Sequence, residues 1–186
     1  MDKKLNLTTR LNFSEIDLTA PDKVVAEIFE QLPEETNGII LGAVKPYDGH
    51  IFSYKKRGIS SISIALGATE DKEIDIQDSL GKFGEETCKF ECYLYTPEYP
   101  KYKYRMFFMR YDIANYPVKL VLEESIANSI SGNSSGYIYS CKSRAELEEL
   151  VMKILTSKRA IDIMQELIRI NQAKKDTNKG SDEGEP

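Results

Sequence analysis

The stretch Thr87–Tyr111, TCKFECYLYTPEYPKYKYRMFFMRY, alternates apolar and polar residues up to a break marked by Pro97 and Pro100, then alternates back. A period of two is the pattern of strands that bury one face. The stretch therefore predicts a long antiparallel hairpin at the centre of a sheet. On its first strand Cys88, Phe90, Cys92 and Leu94 share one face, with Lys89, Glu91, Tyr93 and Tyr95 on the other. On the second, strict alternation sets Tyr102, Tyr104, Met106, Phe108 and Arg110 against Lys103, Arg105, Phe107, Met109 and Tyr111. Tyr99 and the two prolines mark the connection. Both faces are apolar from Met106 to Met109, so that end is expected inside; Lys101 to Arg105 is expected in solvent.

Upstream, GIILGAVKPYDGHIFSYKKRG reads as further strands. Gly38 to Val44 is a short apolar run and Asp48-Gly49 is a common two-residue hairpin signal. Ile51 to Lys55 returns, and Ile59 to Leu66 places Ile62, Ile64 and Leu66 on one face. A three-strand meander between Gly38 and Leu66 is the expectation. Ala68 to Gly84, acidic at Glu70, Asp71, Glu73, Asp75 and Asp78, reads as a long connection with one helical turn near Ile76 to Leu80. Downstream, Val118 to Leu122 reads as a strand on its β-branched content. Glu123 to Ile130 is left open between strand and helix, and Tyr137 to Cys141 is a last short strand.

Helices flank these strands. Thr19 and Asp22 form a capping-box variant around Pro21, and Val24, Val25, Ile28, Phe29 and Leu32 share a face up to Pro33. Ser143 and Glu146 make a full capping box before Leu147, Leu150, Val151, Ile154 and Leu155. Ser157 can cap a second helix carrying Ile161, Met164, Leu167 and Ile168. Met1 to Leu18 alternates loosely, as an arm or edge strand. The class expected is α+β: a mainly antiparallel sheet of about five to seven strands. The N-terminal helix and the C-terminal helical pair cover one of its faces. Residues 1–172 form one domain, and 173–186, without a large apolar residue, a disordered polar tail.

The totals bound the function classes. A chain of 186 residues, 41% hydrophobic and 30% charged, has the composition of an ordinary globular protein. Its net charge of −5 works weakly against non-specific binding to nucleic acid or anionic membrane. No apolar run approaches a membrane span and no signal peptide is expected at the N-terminus. Three cysteines, Cys88, Cys92 and Cys141, make no even framework, so reduced thiols in a cytoplasmic protein are expected, with Cys88 and Cys92 in the core.

Catalytic and cofactor signals are lacking. His50 is the sole histidine, so any triad would have to use it, and a turn residue is the plainer reading. No CxxC pair, GxGxxG or GxxxxGK[ST] occurs. The cluster from Glu70 to Asp78 lacks EF-hand spacing. A small enzyme with an acidic metal-assisted site around Asp75 and Asp78 stands as the third functional option, and a nuclease version would combine Asp75 or Asp78 with Glu91 and a lysine such as Lys89. Neither a cofactor nor a metal is expected, and the balance leans away from an enzyme.

One constellation remains. Tyr99, Tyr102 and Tyr104 interleave with Lys101, Lys103 and Arg105. Tyrosine and arginine are favoured at protein interfaces, and rings flanked by cations also suit unpaired bases and phosphates. Lys103 is followed by Tyr104 rather than glycine, which departs from the RNA-recognition-motif signature. The same residues also serve simply to keep a strand end soluble. The function expected is a non-enzymatic module that binds another macromolecule, a protein first, a single-stranded nucleic acid as the alternative, and no membrane.

Overall fold

The structure is a computed structural model that describes residues 18–49, 52–55, 72–75, 87–131 and 136–182. The elements in chain order are α1 (Pro21–Phe29), α2 (Leu32–Glu35), β1 (Leu41–Pro46), β2 (Phe52–Lys55), β3 (Lys72–Asp75), β4 (Thr87–Thr96), β5 (Tyr99–Asp112), β6 (Val118–Leu122), α3 (Glu124–Ser131), β7 (Ile138–Cys141), α4 (Arg144–Leu155) and α5 (Lys158–Asp182). A five-stranded antiparallel sheet runs in the order β1-β4-β5-β6-β7, so the β4–β5 hairpin lies within it as expected.

One face of this sheet carries the main core. Cys92, Leu94, Phe107, Met109 and Leu120 point to it and meet Val24, Val25, Ile28 and Phe29 of α1, Leu147, Val151 and Ile154 of α4, and Ala160, Ile163 and Leu167 of α5. The arrangement is α+β, with the terminal helices on one face. Apolar stripes at helical spacing and a period-two strand face are complementary, and burying both together drives the layering. On the other face a smaller cluster joins Phe108, Val121 and Tyr47.

Several sequence expectations need correction. β1 does not pair with β2; it pairs with β4, from Leu41 opposite Tyr95 to Pro46 opposite Phe90. That register turns Gly42 and Val44, opposite Leu94 and Cys92, toward the helices, where Gly42 lies so close to Phe29 that any Cβ would enter the ring. β2 pairs instead with β3 in a separate two-stranded sheet, so a strand occupies part of the stretch read as connection. β1 thus takes a long-range partner in place of its sequence neighbour. Ile59 to Leu66, Ile76 to Leu80, His50 and Met1 to Asp17 lie outside the described residues.

Helix ends differ in detail too. The N-cap of α1 is Ala20, whose carbonyl takes the amides of Lys23 and Val24, and no side chain caps it. Asp22, freed from that role, accepts a hydrogen bond of 2.6 Å from the Tyr111 hydroxyl on β5. Pro33 lies in the first turn of the short α2, and Leu32 in that helix is buried. Ser143 caps α4 as expected, accepting from the Glu146 amide at 3.3 Å, while the Glu146 carboxylate reaches the Lys142 amide at 2.7 Å. Ser157 accepts from the Ala160 amide at the start of α5. That helix continues to Asp182, through ten residues of the stretch read as a polar tail. Val118–Leu122 is a strand, and the open segment after it forms α3, whose first turn is capped by Glu123: its carboxylate accepts from the Ile126 amide at 3.2 Å.

The hairpin departs from strict alternation. Register runs evenly from Cys88 opposite Tyr111 to Cys92 opposite Phe107, then slips so that Tyr93 faces Arg105. Met106 is the extra residue of a β-bulge, and it is fully buried. A bulge reverses the faces beyond it. Tyr104, opposite Leu94, thus joins the helix side, whereas Arg105 joins Phe108 on the other, the reverse of the grouping that alternation gives. Cys88 is exposed rather than in the core: β1 ends opposite Phe90, and among the described residues no strand flanks β4 at Cys88.

Candidate functional site

Tyr99, Lys101, Tyr102, Lys103, Tyr104 and Arg105 all lie on the first half of β5, beyond the two-residue turn at Pro97 and Glu98. β6 flanks β5 only from Phe107 to Arg110. Among the described residues, the edge of β5 from Tyr99 to Arg105 therefore has β4 on one side and no strand on the other. A second slip, which sets Tyr99 against Thr96, leaves unmatched residues between Tyr99 and Tyr104 and bends this half out of even pairing.

The bulge and the slip divide the six side chains. Tyr104 points to α5, where the Arg159 guanidinium donates to its hydroxyl at 3.2 Å. The same guanidinium donates through Nε to the Ser125 hydroxyl at 2.9 Å, and Ser125 in turn donates to the Glu123 carboxylate. At the tip, Lys174 of α5 donates to the Glu98 carbonyl at 2.6 Å and lies 4.5 Å from the centre of the Tyr99 ring. The long helix is thus tied to the hairpin at both ends of the candidate stretch.

On the opposite face, Lys103 covers the Tyr93 ring at 4.4 Å and Arg105 the Phe108 ring at 4.2 Å. Both cations are exposed while the rings beneath are buried, as expected where long aliphatic stems lie over aromatic faces. Lys89 lies on this face too, its ammonium donating to the Gly49 carbonyl at 2.5 Å beside the Tyr47 ring. Burial pulls its pKa below the ordinary lysine value, with Asp48 acting in the other direction. Lys101 and Tyr102 stand at the exposed end, Tyr102 at 50% exposure against 37% for Tyr99.

Glu91, Tyr93, Lys103, Tyr104, Arg105 and Glu123 line an open depression of about 450 Å³ beside the bulge. Its carboxylates are placed by the fold: Glu123 caps α3, and Glu91 stands opposite Lys45 of β1. The sequence reading reached Lys103, Tyr104 and Arg105 but not Arg159, Lys174, Ser125 or Glu123. Their positions depend on how α5 and α3 cross the hairpin, and local spacing carries no signal for that.

The residues of the acidic option are described only in part. Asp75 lies at the end of β3, Glu91 and Lys89 lie on β4, and Asp78 is outside the described range. Among those residues no group of three histidine, cysteine, aspartate or glutamate side chains could hold a metal ion. No helix described is long and apolar enough to cross a membrane. The geometry offers a protruding strand edge with three exposed cations, a shallow depression at its base, and aromatic rings mostly already covered. No family model matches the chain, and comparisons with curated proteins and with solved structures also give no match.

Proposed function

We propose that this protein is a binding module that engages another protein through the Tyr99–Arg105 half of β5. The observation that carries the reading is the overhang of β5 past β6, which presents Lys101, Tyr102, Lys103 and Arg105 together at the surface. Tyrosine and arginine at such positions give large contact area at low entropic cost. A single-stranded nucleic acid is the second reading, supported by Tyr102 beside two lysines. It is weaker because stacking needs several open ring faces. Cations already cover Tyr93, Phe108 and Tyr99.

A photo-crosslinking phenylalanine analogue at position 102, and separately at Met152 on α4, tests the reading in lysate of the source cells. Met152 is exposed but lies on a helix away from the hairpin. Adducts specific to position 102 that survive nuclease and disappear with Lys103→Glu plus Arg105→Glu are the expected result. Adducts destroyed by nuclease favour the second reading. Equal labelling from both positions overturns both.

A further inference from the structure

The edge of β5 also determines what kind of partner segment fits. From Tyr99 to Arg105 the strand lies beside β4, in register at Tyr99, Tyr104 and Arg105, and among the described residues no strand lies along its other side. Backbone groups on an open edge are directional, and a second extended chain satisfies them better than a helix or a flat surface does. Here Pro100 supplies no N–H and the slip takes Pro100 to Lys103 out of even register, so the donors come from the remaining residues. The same seven residues carry three cations, Lys101, Lys103 and Arg105, and no carboxylate. Lys103 and Arg105 cover rings on one face of the sheet, so they project two residues apart toward the same side. A chain added along the edge would set its own alternate side chains directly beside them, where opposite charges stabilise cross-strand pairs.

The neighbouring carboxylates keep their charge but are held by other groups. Glu98 is held by Lys174, at 2.6 Å through its carbonyl and 3.9 Å through its carboxylate. Glu123 is engaged with Ser125 and the α3 amide, and Glu91 faces Lys45 in register. Lys103 and Arg105 have rings beneath them and solvent outside.

We infer that the Tyr99–Arg105 edge of β5 accepts an extended acidic segment of a partner protein as an added strand, with Lys103 and Arg105 reading acidic side chains at alternate positions. This rests on the binding reading above and narrows it to one partner chemistry. The depression beside Tyr104, lined by Glu91 and Glu123 as well as by Lys103 and Arg105, would receive an uncharged side chain at the end of the added strand nearest the bulge.

A capped heptapeptide alternating glutamate and valine is the probe, titrated against the full chain by fluorescence anisotropy at low and at physiological salt. Companion probes are the same peptide with alternate backbone nitrogens methylated, and an oligothymidylate. The expected result is saturable binding of the first peptide and a loss of at least about tenfold on methylation, which removes strand donors but no charge. A comparable loss is expected with Lys103→Glu or Arg105→Glu, both at exposed positions outside the main core, with urea midpoints checking that each variant stays folded. Amides within 99–105 should gain hydrogen-exchange protection when the peptide is bound. Equal binding of the methylated peptide overturns strand addition, as does a peptide affinity unchanged by either substitution. No peptide binding alongside position-102 adducts to a protein overturns this inference while the binding reading stands. Tight oligothymidylate binding without peptide binding replaces it with the nucleic-acid reading.

Discussion

The Arg159 guanidinium of α5 donates a hydrogen bond to the Tyr104 hydroxyl of β5 at 3.2 Å, joining two residues 55 positions apart. The bond exists because the Met106 bulge turns Tyr104 to the helix side. With Nε also bonded to Ser125, one side chain joins α5, α3 and the overhanging half of the hairpin.

Tyr104→Phe should keep the ring in place and remove only this acceptor. A loss of about 0.5–1.5 kcal/mol is expected, the net value of one such hydrogen bond. Arg159→Ala, which removes the bond to Ser125 as well, should cost more than Tyr104→Phe. Urea midpoints of the two variants and their double mutant measure this; strict additivity would mean the bond has no energetic content.

Gly42 is required by close approach rather than by backbone conformation. A Cβ there would enter the Phe29 ring where α1 lies on β1. Gly42→Ala should destabilise by about 1–3 kcal/mol through overpacking. Combining it with Phe29→Ala should cost less than the two changes summed, because alanine removes the Phe29 Cγ and ring carbon that the new Cβ would meet and keeps only its Cβ, at 2.7 Å. A double-mutant cycle in urea reads this directly.

The three thiols should separate by environment. Cys88 is exposed, while Cys92 and Cys141 are buried. A disulfide-exchange reagent should titrate one thiol rapidly in the native protein and two more only on unfolding, with Cys88→Ser abolishing the rapid phase. Two or more rapid equivalents would contradict the placement of the buried pair.

Burial, with Glu146 adding to it, pushes the Cys141 thiol up to about 11 from an ordinary 9.0. A folded value above the unfolded one favours folding of the protonated form. Its contribution is complete below about pH 9 and is lost as pH rises from 9 toward 11. Wild type should therefore lose on the order of 2 kcal/mol more than Cys141→Ala across that window. Parallel stability–pH curves for the two proteins would count against it.

Lys174 ties the C-terminal half of α5 to the Pro97–Glu98 turn through the Glu98 carbonyl and the Tyr99 ring. Lys174→Ala should leave global stability nearly unchanged, within about 1 kcal/mol, because the group is partly exposed. It should speed amide exchange at Glu98 and Tyr99 by removing the anchor at the hairpin tip. Unchanged exchange there would mean that the lysine merely rests on the turn.

Local chemistry by itself determined the layer architecture: the period-two faces of Thr87–Tyr111, the capping signals at Ser143 and Ser157, and the apolar stripes of α1, α4 and α5 each need only neighbouring residues to be read. It also located the basic and aromatic stretch from Tyr99 to Arg105. Tertiary structure alone decided three further points. β1 chose β4 over its sequence neighbour because that register places Gly42 and Val44 under α1. The bulge at Met106 reversed the faces, since a one-residue slip exchanges every side chain beyond it. Arg159 and Lys174 came to Tyr104 and Tyr99 from far along the chain. Strand partner, bulge position and helix crossing depend on contacts distant in sequence, and a local pattern encodes which face is apolar but not what will cover it.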